Sequence, residues 1–193
     1  MKVPEPALDE SHFSARAKVD AILKHHSSLD SAQELLGHDI VSNVGGETRR
    51  VRITKTRSFD GVGNRSSNME GMSQEAGHVF IMKHRSGKFL NITTGKQGDP
   101  TVVWIEEATN VATGETLKSN KLISHLGLDN ADLEPIFTGS RAIVQGEKPS
   151  KIDRLSPAAE GASPNTTGIF RAVYLGKDVR EELDAAVDLY TKK

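Results

Sequence analysis

Apolar residues follow two different rhythms along this chain. From Phe13 they recur at helical spacing, with Phe13, Ala17 and Ala21 four apart and Val19, Ile22 and Leu23 beside them. That period puts them on one face of an amphipathic helix. Asp9 or Ser11 can cap its start, and the pattern runs out near His25. A second, shorter helix is expected next: Ser28 or Asp30 can cap it, Ser31 and Glu34 stand at capping-box spacing, and Gly37 is a stop. The two are expected to form a helical hairpin.

Beyond Gly45-Gly46 the period shortens to two. Val51 and Ile53 alternate with Arg50, Arg52 and Thr54, which predicts a strand with one apolar and one basic face. Val79-Phe80-Ile81-Met82 and Phe89-Leu90-Asn91-Ile92 flank Arg85-Ser86-Gly87, the punctuation of a β-hairpin. After a turn at Gly98-Asp99-Pro100, Val102 to Ile105 reads as a buried strand. A mid-chain helix is expected over Leu117 to Leu126, stopped by Gly127. Ile136-Phe137, Ala142 to Val144 and Ile169 to Leu175 are further strand candidates. Val179, Leu183, Ala186, Val187 and Tyr190 form the stripe of a C-terminal helix, acidic early and basic late as the helix dipole favours.

Helices at the ends and strands between them predict an α+β fold, with a central, mostly antiparallel sheet, an N-terminal helical hairpin, a mid-chain helix and a C-terminal helix. Residues 1–8 are expected to be a mobile arm and 9–193 a single domain. Two stretches, 58–76 and 146–168, read as long loops; the second holds three prolines and three glycines and little apolar mass to offset its ordering entropy.

Composition narrows the chemistry. The 193 residues include no cysteine, which removes disulfides, thiolate metal sites and a cysteine nucleophile. The formal charge of −1 disfavours nucleic acid as a partner, because counterion release needs surplus cations. No apolar run approaches the length of a membrane span, and a cytoplasmic, soluble protein without a membrane partner is expected. No motif calls for a cofactor, and the histidines lack the regular carboxylate offsets of a metal site.

Arg49, Arg50, Arg52, Lys55, Arg57 and Arg65 place six cations within seventeen residues, opposed there only by Asp60. Guanidinium forks suit carboxylate and phosphate, and Gly61-Val62-Gly63-Asn64-Arg65-Ser66 can bring backbone N–H groups to an anion. The leading expectation is therefore a binding or regulatory module that recognises an anionic small molecule or an acidic protein surface, with Arg50, Arg52, Arg57, Arg65 and Ser66 as ligand-binding residues. On that view, alanine at 50 and 52 weakens capture and leaves the melting temperature nearly unchanged. The bland alternative is an edge strand charged to prevent edge pairing.

Two alternatives are catalytic. Gly77-His78-Val79-Phe80-Ile81, a turn, and then Asn91 resemble the hairpin of papain-like peptidases of the NlpC and CHAP type. That resemblance implies His78 as base and Asn91 as its orienter, in a hydrolase or transferase, active or decayed. Those families use a cysteine; here Ser14 is the stand-in nucleophile. Arg52, Ser66-Ser67 and Glu106-Glu107 follow the order found in ADP-ribosyltransferases, which implies an NAD-using enzyme.

Overall fold

The computed structural model describes residues 10–25, 27–61 and 69–176, with backbone alone at 10–15 and 69–70. The described residues form one antiparallel sheet with the longer helices against one face, the α+β arrangement expected. Helix α1 (Glu10–His25) and helix α2 (Ser28–Glu34) meet at Ser27, whose hydroxyl caps α2 by accepting from the Asp30 amide. The cap is thus one residue earlier than the sequence suggested. Gly37, with φ of +84°, then turns the chain into the sheet.

The longest strand organises the rest. Strand β2 (Glu47–Asp60) pairs along one edge with β5 (Thr101–Asn110). Along its other edge β2 pairs first with β1 (Asp39–Val44) and then with β9 (Thr166–Val173). The sheet therefore forks at β2. Strand β7 (Arg141–Val144) extends the β1 arm and β8 (Lys151–Arg154) extends the β9 arm. Beyond β5 lie the hairpin β3 (Val79–His84) and β4 (Gly87–Thr93), while β6 (Thr116–Lys118) adds to β5 and leads into helix α4 (Ser119–His125). A single helical turn, α3 (Met69–Met72), lies in the segment before β3.

The main core lies between the sheet and the helices, built on Leu23, Leu35, Ile53, Ile105, Leu122 and Ile136, all fully buried. Polar groups drawn into it are satisfied: Thr56 donates to the Ala32 carbonyl, Ser31 to that of Ile22 and Ser42 to that of Leu126. A smaller cluster of Met72, Phe80 and Val102 occupies the opposite face.

Three expectations change. Ile136-Phe137 is not a strand: Ile136 is buried from a loop, its amide donating to the Gly77 carbonyl. Segment 146–168 is not one long loop, because Ile152 packs against the core and lets residues 151–154 pair with β9. Segment 58–76 begins within β2 and contains α3. The N-terminal arm, residues 62–68 and the C-terminal helix lie outside the described residues. Among the described residues, no helix is long and apolar enough to cross a membrane.

Candidate functional site

Strict alternation would send Arg50 and Arg52 to one face of β2 and Lys55 and Arg57 to the other. The register against β5 slips twice, once on each strand, between the pairs Ile53–Ala108 and Thr56–Ile105. These irregularities reverse the parity of the strand, so Val51, Ile53, Thr56 and Ser58 face the helices, and all four cations lie on the other face. β2 is moreover central, with neighbours on both edges, so its charges do not protect an edge. Arg49 points the other way and donates to the His125 carbonyl at the end of α4.

The four cations fall into two clusters. In the first, Asp39 at the head of β1 lies directly across from Arg52 and is fully buried. Arg52 grips it with two hydrogen bonds, Nε to Oδ1 at 2.9 Å and Nη2 to Oδ2 at 3.1 Å. Arg50 Nε donates to Oδ2 at 2.5 Å. One buried carboxylate therefore serves two guanidiniums. The hydrogen bonds to Asp39 hold the Arg52 pKa above its ordinary value, so its charge is permanent. A second carboxylate reaches only Arg52: Glu147, on the strap after β7, accepts from Nη1 at 2.8 Å while its side chain stays 61% exposed.

Glycines seat that strap. A Cβ on Gly37 would lie 2.5 Å from the Glu147 carbonyl oxygen, and one on Gly146 would collide with the Gly37 carbonyl and the Asp39 carboxylate. Tyr174 then fixes the Glu147 carbonyl with a 2.9 Å hydrogen bond from its hydroxyl. The Glu147 backbone is pinned by Tyr174, while its exposed side chain is held only by Arg52. On the other side of Arg52 is a cavity of about 180 Å³ lined also by Thr54, Thr109, Asn110 and Tyr174.

The second cluster is sealed. Lys55 and Arg57 are only 4% and 8% exposed, and both meet Glu106 and Glu160. Arg57 holds Glu106 with Nε and Nη2 at 2.6 and 2.8 Å and stacks 4.9 Å from the Trp104 ring centroid. Lys55 Nζ reaches Glu160 at 2.7 Å. Glu160 comes from the β8–β9 connection, which folds back over this face.

The hydrogen bond from Lys55, reinforced by its charge and that of Arg57, holds the Glu160 pKa below the ordinary glutamate value. Its folded value is depressed, so the stability it contributes is complete above the ordinary glutamate range and is lost as pH falls through the folded value. Glu160→Gln is expected to lower the urea midpoint at pH about 7, and the difference from wild type is expected to shrink as pH falls through the depressed folded-state pKa. A midpoint difference that persists unchanged in acid would show that the ion pair is not its source.

The expected catalytic residues are not assembled. By register His78 and Asn91 share a face of the β3–β4 hairpin, yet they form no hydrogen bond with each other. The His78 Nδ1 is engaged by the Glu75 carbonyl, and Asn91 is buried and donates to the Phe89 carbonyl. Ser14 lies in α1, with its side chain outside the described residues, as are Arg65 and Ser66. Arg52 and Glu106 belong to different clusters, Glu106 being held by Arg57 and Lys55. Among the described residues no group of three or more His, Asp or Glu side chains could hold a metal ion.

Sequence reasoning found the cations and missed their partners. Asp39, on β1, and Glu147, on the strap after β7, meet Arg52 only through pairing of β1 with both β2 and β7. No family model matches the chain, and neither does any curated protein.

Proposed function

We propose that the chain is a non-catalytic binding module for a small anionic group, a carboxylate or a phosphate, taken up by Arg52 and Arg50 at the fork of the sheet. The observation that carries this reading is the uneven supply of carboxylate. Asp39 is buried behind both guanidiniums and cannot leave, whereas the further carboxylate on Arg52, that of Glu147, is exposed and is held by Arg52 alone. Glu147 holds the place that a ligand's carboxylate would take. Thr54, Thr109, Asn110 and Tyr174 supply polar groups around the adjoining cavity, whose volume of about 180 Å³ suits one anionic group and little more. Arg50, 46% exposed, can supply further donors from the rim.

Displacing an exposed carboxylate is cheap, since such pairs contribute at most about 1 kcal/mol. Glu147→Gln removes the competitor and keeps the shape. Titration calorimetry with inorganic phosphate and with succinate is expected to show up to about fivefold tighter binding to this variant than to wild type, corresponding to that ~1 kcal/mol. The affinity should fall as salt rises in both proteins. Equal affinity in the two proteins, or no heat in either, overturns the reading. The sealed Lys55–Arg57 cluster has no part in it, and no observation favours the hydrolase or the transferase.

A further inference from the structure

The guanidinium of Arg52 carries five N–H donors, and its two partners leave the outer edge underused. Nε and Nη2 are turned to Asp39, and one N–H of Nη1 to Glu147. With Glu147 displaced, Nη1 and Nη2 offer a parallel pair of donors, the fork that matches the two oxygens of a carboxylate. Charge sets the valence of the occupant. Arg50 and Arg52 together outweigh the buried Asp39 by a single positive charge. Glu147, the resting occupant, is itself a monocarboxylate on an apolar stem.

The cavity beside Arg52 has walls of two kinds. Thr54, Thr109 and Asn110 are polar, whereas Val111 and Tyr174 bring apolar and aromatic carbon. Val111 is 43% exposed, one of two large apolar side chains so placed among the described residues. Its turn is tied down: the Val111 amide donates to the Arg50 carbonyl at 3.1 Å, the Gly114 amide to the Asn110 carbonyl at 2.8 Å, and the Ala112 amide to Asn110 Oδ1 at 3.0 Å. An uncovered isopropyl group is thereby held beside the two arginines. Burial raises the Tyr174 pKa above the ordinary tyrosine value, so its hydroxyl stays neutral and does not repel an anion. At roughly 30 Å³ per heavy atom, the share of a molecule in liquid water, a volume of about 180 Å³ holds a carboxylate and about three carbons.

We infer, building on the anion reading of the same site, that its ligand is a monocarboxylate with a short branched apolar chain. The carboxylate takes the Nη1 and Nη2 fork of Arg52 in place of Glu147, and the chain lies against Val111 and Tyr174. A dianion brings more charge than the two arginines have to spare, and a bare anion leaves Val111 uncovered.

The test uses the full chain, labelled with ¹⁵N and carrying Glu147→Gln, titrated at constant ionic strength with isobutyrate, acetate and inorganic phosphate. All three are expected to shift the amide signals of Thr109 and Val111, with isobutyrate binding most tightly. It adds two carbons to acetate, and each buried carbon group is worth about fourfold in affinity, so a preference of about fourfold to fifteenfold is expected. Val111→Thr keeps the shape of the side chain and should collapse the preference for isobutyrate over acetate. Val111 is exposed, so the variant is expected to fold, which the unchanged remainder of the spectrum verifies. Equal binding of isobutyrate and acetate, or a preference that Val111→Thr leaves intact, overturns the apolar chain. Phosphate binding more tightly than either acid overturns the monocarboxylate. In both cases the anion reading stands, whereas absence of shifts with all three probes overturns the two together.

Discussion

Replacing both Arg50 and Arg52 with alanine is expected to destabilise the protein severely. Asp39 has no solvent exposure, and these two guanidiniums are its partners. Removing them leaves a carboxylate in a low-dielectric site without donors, and breaking a buried pair in this way costs about 3–5 kcal/mol. For a chain of this length each kcal/mol moves the melting temperature by about 2–4 °C, so a fall of roughly 6–20 °C is expected by calorimetry. Arg50→Ala alone should cost much less, because Arg52 retains two bonds to the carboxylate. Adding Asp39→Asn to the double variant should recover part of the loss, since it removes the orphaned charge. A double variant that melts with the wild type would mean that Asp39 finds other donors and that the arginines are spare. The expectation from sequence alone, an unchanged melting temperature, is thus reversed by the burial of Asp39.

The second large effect is expected at Glu106. Glu106→Ala leaves Lys55 and Arg57, both buried, to share the partly exposed Glu160. One carboxylate then faces two cations, and a loss of about 3–5 kcal/mol follows from the same desolvation argument. The molecule supplies its own reporter. Trp104 is the sole tryptophan of the chain and stacks on Arg57, so its emission should change in the folded baseline as well as in the urea transition. Glu107→Ala is the matched control. Its partners Lys118 and Arg171 are 61% and 43% exposed, and such pairs contribute roughly 1 kcal/mol or less each. Equal losses at 106 and 107 would show that burial does not set the cost.

Local patterning carried much of the fold. Helix α1 with its buried Val19, Ile22 and Leu23, the Arg85-Ser86 turn and the Ala142–Val144 strand were all legible, because helical and strand periods are written into adjacent residues. Strand β8 was hidden, since its single apolar anchor, Ile152, becomes a strand residue only against β9. The site was half legible. A run of arginines is conspicuous in any sequence, but its electrostatic state depends on which acids the topology delivers to it. Asp39, Glu106, Glu147 and Glu160 arrive from four separate segments. Nor could alternation show that Lys55 shares a face with Arg52, because the irregularities that turn it there are a property of two strands together.

The fork at β2 bears on the order in which the molecule assembles. The β1–β2 ribbon closes across the tight Gly45-Gly46 turn, a local event with little loop entropy to overcome. Docking of β9 on the remaining half of the same edge joins segments about 110 residues apart, and contacts so distant in sequence form slowly. Until that arm arrives, residues 55–59 present an open row of backbone donors and acceptors, so the nascent chain passes through a stage in which its central strand is the segment most able to recruit a foreign neighbour.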